Sequence, residues 1–145
     1  MALKNTASDY TQSNRIFPGD IKILDDTIAV AGLAFVTLAE IAGKGQIIAG
    51  VFYPTTRLIQ DNSGPRVTID DEILLTRSFA LMNQYNLTPP STSPVRILKY
   101  DPVGFYYVCD FFTPLTFESS FLLQYKNNHI GNINVNIHLL YALFE

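Results

Sequence analysis

Ile133-Asn134-Val135-Asn136-Ile137-His138-Leu139-Leu140-Tyr141-Ala142-Leu143-Phe144 is the stretch on which the fold turns. Successive side chains of a strand point to opposite sides, so Val135, Ile137, Leu139, Tyr141 and Leu143 share one face. The other face is polar at Asn134, Asn136 and His138, then apolar at Leu140, Ala142 and Phe144. A strand of this kind is either central in a sheet or an edge covered by another chain, because a bare apolar edge aggregates.

The same period of two recurs upstream. Asn127-Asn128-His129-Ile130-Gly131-Asn132 is a turn, preceded by strands over residues 117–126, 105–112 and 95–100. Thr88-Pro89-Pro90-Ser91-Thr92-Ser93-Pro94 is the clearest break, since proline blocks both helix and ladder. Composition is similar on either side of it, so residues 20–145 read as one domain.

Before that break, Asp70-Asp71-Glu72 changes the pattern. Aspartate can cap a helix, which predicts a helix over residues 72–84; a bulged strand is the alternative. Residues 66–69 form a short strand, after a loop at Asp61-Asn62-Ser63-Gly64-Pro65. Residues 34–41 and 46–53 flank Gly43-Lys44-Gly45 and read as a hairpin. The first of these runs also permits a helix, but Val36, Thr37 and the glycines on both sides favour a strand. Ile21, Ile23, Ile28 and Val30 mark one more strand, around Asp25-Asp26. Seven or eight short strands spaced by turns predict a mainly β protein, an antiparallel β-sandwich with room for one short helix.

Residues 1–19 are polar and nearly aperiodic. They read as a frayed terminus, or as an extended N-terminal arm lying along a neighbouring subunit with Tyr10, Ile16 and Phe17 as anchors. In the last strand, Leu140, Tyr141 and Phe144 are either core or further partner contacts.

Composition narrows the function. The chain has 145 residues, enough to bury a normal core in one domain. Only 16% of its residues are charged, against about 25% in a typical soluble domain. Asn, Thr, Ser, Gln and Tyr take the place of charge. Two readings fit: a surface covered by neighbours, or the Asn and Ile bias of an AT-rich genome. Net charge is −3, and the ten basic residues are scattered singly, which argues against nucleic-acid binding. A single cysteine, Cys109, excludes an intrachain disulfide framework. No run approaches the roughly 18 apolar residues of a membrane span, and no signal peptide is expected.

Chemistry-bearing patterns are sparse. His129 and His138 are the two histidines, and no nucleophile elbow or phosphate loop accompanies them. Two histidines and one distant cysteine are poor zinc ligands, so no cofactor or metal is expected. Asp25-Asp26, Asp61-Asn62 and Asp70-Asp71-Glu72 are oxygen-rich, but none follows a calcium-loop pattern. A hydrolase would need a carboxylate pair across a cleft, and nothing in the sequence brings Asp70, Asp71 and Glu118 together. The expectation is therefore a non-enzymatic protein. A sugar-binding or receptor-binding module is the competing class, with Tyr53, Tyr106 and Tyr107 as aromatics for a glycan.

Phe117-Glu118-Ser119-Ser120-Phe121, running into Leu122-Leu123-Gln124-Tyr125-Lys126 and closed by Leu140-Tyr141-Ala142-Leu143, resembles the final strands of small jelly-roll-like β-sandwich proteins of phage and other virus particles. Ala42-Gly43-Lys44-Gly45-Gln46-Ile47 and Val67-Thr68-Ile69-Asp70-Asp71 are similar to strand-turn pieces of the same domains, with Asp71 where glycine is expected. The resemblance implies a jelly-roll-like virion structural protein (capsid, decoration, spike or tail component), made in the host cytoplasm. Its partners would be other protein subunits, as a homo-oligomer within a larger assembly. It carries over no functional residues.

Overall fold

The computed structural model describes residues 20–144, so the arm with Tyr10, Ile16 and Phe17 lies outside the described residues. Among the described residues, ten strands and one helix follow in chain order: β1 (Ile21–Val30), β2 (Phe35–Ala42), β3 (Gly45–Pro54), β4 (Gly64–Ile69), β5 (Glu72–Thr76), α1 (Phe79–Gln84), β6 (Val95–Asp101), β7 (Tyr106–Phe111), β8 (Leu115–Phe117), β9 (Ser120–Lys126) and β10 (Ile133–Leu143).

The strands form two antiparallel sheets. The larger has the order β1-β10-β3-β7-β6, with β8 pairing the start of β3; the smaller has the order β2-β9-β4-β5. The chain changes sheet at each step from β1 to β4 and again around β9, which is the interleaved wrap of a jelly roll. β10 takes the central place its two-sided character allows, between β1 and β3. Ile133, Val135, Ile137 and Leu139 are buried on its inner face, and Tyr141 and Leu143 continue that face against the core.

Aromatic rings fill the space between the sheets. Phe111 of the larger sheet meets Phe121 of the smaller edge to face at 6.1 Å, and Phe117 sits 5.9 Å from Phe121. Such arrangements add to the burial of the rings themselves. At one end, Phe79 and Met82 of α1 plug the sandwich, with Phe79 stacked on Tyr107 at 5.2 Å. Beneath them the Tyr107 hydroxyl donates to Asp61 Oδ1 at 2.5 Å and Tyr125 donates to Gln60 Oε1 at 2.7 Å. Gln60 Nε2 donates to Asn127 Oδ1 at 3.3 Å, and Asn127 Nδ2 donates to the Gly131 carbonyl at 2.9 Å. Asn127 Nδ2 also donates to the Ala31 carbonyl at 3.2 Å, so three loops are fastened to one another without leaving these buried polar groups unpaired.

Two local readings of the sequence change. Residues 35–42 and 45–54 are strands, but they lie in different sheets, so Gly43-Lys44 is a corner and not a hairpin loop. Gly43 has φ +113°, and its N–H donates to the Ser119 carbonyl. A Cβ at Gly45 would overlap the Ala142 carbonyl, so glycine lets the corner close against β10. The helix expected over residues 72–84 is a strand and a shorter helix. Asp70 and Asp71 both have positive φ and form the two-residue turn between β4 and β5. A bulge opposite Val67 and Thr68 breaks the alternation of β5, which is why this segment did not read as a plain strand. α1 begins at Ser78, whose Oγ accepts from Leu81 N at 3.2 Å.

Phe121→Ala removes a fully buried ring shared by both sheets. It is expected to cost about 3–5 kcal/mol, read as a lower urea midpoint with an unchanged slope.

Candidate functional site

Alternation carries every second side chain of the larger sheet to its outer face, and the register places them in rows. Ile23 pairs with Leu140, which pairs with Ala49. Beside them Asp25 pairs with His138, His138 with Val51, and Val51 with Asp110. The next row joins Thr27, Asn136 and Tyr53. The face therefore has an apolar end near the start of the described chain and a polar end beyond it.

The apolar end holds an open depression of about 420 Å³ walled by Ile23, Ala49, Val51 and Leu140. Ile23 is 76% exposed and Ile21 is 55% exposed. Both belong to β1, whose other edge pairs with no strand among the described residues. A ten-residue edge with exposed isoleucines is a template for another chain. The polar end is internally satisfied. His138 Nδ1 lies 2.8 Å from Asp25 Oδ1, Thr27 Oγ1 donates to Asn136 at 2.6 Å, and Asn136 donates to the Tyr53 hydroxyl at 3.3 Å. Arg96 makes a two-pronged contact with Asp110, at 2.7 and 3.1 Å.

The residues chosen from sequence separate here. Leu140 faces outward in the depression, whereas its neighbour Tyr141 faces inward and packs on the core. Phe144 follows β10, half-buried, with its N–H donating to the Lys44 carbonyl at 2.7 Å.

A second concavity of about 300 Å³ lies on the opposite side of the sandwich, on the outer face of the smaller sheet. Phe35 of β2, Arg66 of β4, Lys126 of β9, Arg77 and Tyr85 line it. The Arg66 guanidinium lies 4.1 Å from the centre of the Phe35 ring, and its Nε donates to Gln124 at 3.1 Å. None of these cations was singled out from the sequence, because they lie far apart along the chain.

The groups considered for chemistry hold the fold together instead. Cys109 is fully buried on the inner face, and burial pushes its thiol well up, away from the reactive thiolate. His138 is on the outer face of the same sheet. His129 Nδ1 accepts from the Gly131 N–H at 2.9 Å within its loop. Burial, then the hydrogen bond to Asp61, raises the Tyr107 hydroxyl pKa. Among the described residues no group of three or more His, Cys, Asp or Glu side chains is placed to hold a metal ion.

Asp70 and Glu118, unconnected in sequence, are brought together, but not as a catalytic pair. The Asp70 carboxylate accepts from the backbone N–H groups of Ser119 (2.7 Å), Glu118 (3.0 Å) and Ser120 (3.1 Å). The Glu118 side chain instead points to Lys44 at 3.6 Å, in solvent. Asp70 thus anchors the β4–β5 turn to the β8–β9 turn. No family model matches the sequence, and no curated protein matches it.

Backbone donation from Ser119 above all, then Glu118 and Ser120, lowers the Asp70 carboxyl pKa from the usual 3.8 to about 2. A pKa lowered in the folded state adds stability that is complete above the unfolded value and is lost as pH falls through the folded one. Asp70→Asn should therefore lower the urea midpoint near neutral pH, and the gap to wild type should close as pH falls from 3.8 to about 2.

Proposed function

We propose that this chain is a non-enzymatic structural subunit acting through subunit–subunit contacts, as a capsid, decoration, spike or tail component of a virus particle. The observation that carries the reading is the exposed β1 edge beside the apolar depression at Ile23 and Leu140. A long strand edge and an adjoining apolar face favour strand addition or face-to-face packing by another protein. A second copy of the chain is the simplest partner, since most soluble oligomers are homo-oligomers. The viral setting draws support from the resemblance of the Phe117–Lys126 region and from the jelly-roll order, an architecture common in capsid and lectin domains. That support is fold-level analogy.

The test is solution mass by light scattering across a concentration series, on wild type and Ile23→Lys. Wild type is expected to form a closed oligomer, and a charge in the middle of the patch is expected to weaken it about tenfold or more without lowering the melting temperature. Phe144→Ser should weaken assembly in the same way; a loss of folding would instead assign Phe144 to the core. A wild-type chain that stays monomeric at high concentration would contradict self-assembly. A sugar-binding function is the second reading, and the concavity on the smaller sheet favours it.

A further inference from the structure

The concavity on the smaller sheet gathers three cations in a chain that has only ten Lys and Arg among 145 residues. Arg66, Arg77 and Lys126 line it, and no Asp or Glu does. None of the three forms an ion pair among the described residues. Their known hydrogen bonds go to neutral acceptors: Arg66 to Gln124, Arg77 Nη1 to the Thr76 carbonyl at 2.9 Å, and Lys126 Nζ to the Leu33 carbonyl at 3.2 Å. Among the described residues, the remaining donors of each group have no acceptor and are left for a ligand.

The backbone that carries these side chains is fixed. A Cβ at Gly64 would overlap the Arg77 carbonyl, so the segment bearing Arg77 lies directly against the start of β4. Next to it, Phe79 N donates to the Ser63 carbonyl at 2.7 Å and Ala80 N to the Asp61 carbonyl at 2.9 Å. Lys126 and Arg66 stand on paired, adjacent strands. The remaining wall mixes the polar Asn62, Thr76 and Ser78 with apolar surface, and its rings are open to solvent: Phe35 is 40% exposed and Tyr85 is 55% exposed. Cations on a fixed frame beside exposed aromatic rings suit a small molecule with an anionic group and a flat, weakly polar body. A bare inorganic ion would leave the rings unused.

We propose that this concavity binds an acidic sugar, with Arg77 and Lys126 pairing its carboxylate or sulfate and Phe35 and Tyr85 packing against its ring. The assignment is independent of subunit assembly, which concerns the other face of the sandwich.

The test is an amide NMR titration of the full chain with four probes: a sialylated trisaccharide, a sulfated disaccharide, neutral lactose and sodium sulfate. Saturable shifts centred on Arg66, Arg77 and Lys126 are expected with one of the two acidic sugars, and which one binds identifies the anionic group. Arg77→Gln should weaken that binding about tenfold, and Lys126→Gln should weaken it too. Arg57→Gln, a cation stacked on Tyr106 away from the concavity, should leave it unchanged. Arg77 is exposed, so its variant should melt as wild type does. The proposal fails if neither acidic sugar binds, or if Arg77→Gln binds as tightly as wild type. It fails equally if lactose or sulfate alone matches the acidic sugar, since the ring or the charge would then contribute nothing. Tighter binding of an acidic peptide or an oligonucleotide added as a competitor would also overturn the sugar assignment.

Discussion

The ladder between β1 and β10 joins residues such as Thr27 and Asn136, 109 positions apart along the chain. β10 pairs at the same time with β3, so one strand ties the N-terminal strands of the larger sheet to the end of the domain. β9 plays the matching part in the smaller sheet, between β2 and β4. Both pairings require closure of long loops before any contact rewards it, so a high loop-closure entropy must be offset by burial. The offset comes from the aromatic layer of Phe52, Phe111, Phe117 and Phe121, each almost fully buried. Together with buried aliphatic residues such as Ile47, Val67, Leu123 and Ile137, that layer gives the two sheets a shared interior to hold the distant ladders.

Putting β10 in the centre moves the edge problem elsewhere. The long, largely apolar β10 is paired on both sides, while β1, with Ile21 and Ile23 exposed, occupies the edge. Lys22, Asp25 and Asp26 give that edge some charge, which discourages indiscriminate pairing. The apolar end around Ile23, Leu140 and Ala49 carries no such protection. On the proposed function, a partner protein covers that patch.

Strand positions were legible in the sequence because a period of two is a local property. The inner face of β10 follows the alternation of Val135, Ile137 and Leu139, and the break at Thr88–Pro94 is a loop. Pairing partners were not legible. Residues 34–41 and 46–53 read as a hairpin because a short glycine loop joins them, yet a sheet corner uses the same glycines. Residues 72–84 misled for another reason: a bulge in β5 and the six-residue α1 together imitate one long aperiodic segment. Of the contact residues chosen from the last strand, Leu140 and Tyr141 turn to opposite faces, as adjacent positions in a strand must. The cationic concavity had no linear signal, since Arg66, Arg77 and Lys126 meet only after β4, β9 and the loop before α1 are in place.

The two surfaces are separated by the full thickness of the sandwich. The apolar patch belongs to the outer face of the larger sheet, and the cationic concavity to the outer face of the smaller one. Two packed sheets are about 10 Å apart, with side chains extending beyond each. A partner seated on β1, β10 and β3 therefore cannot also cover Arg66 and Lys126 without wrapping around the domain edge. In the proposed assembly, built through the first face, the second face would stay in solvent with its cations and exposed rings accessible. The rigid interior lets one face be spent on neighbours while the other keeps its shape, so the structural and the sugar-binding readings do not exclude each other.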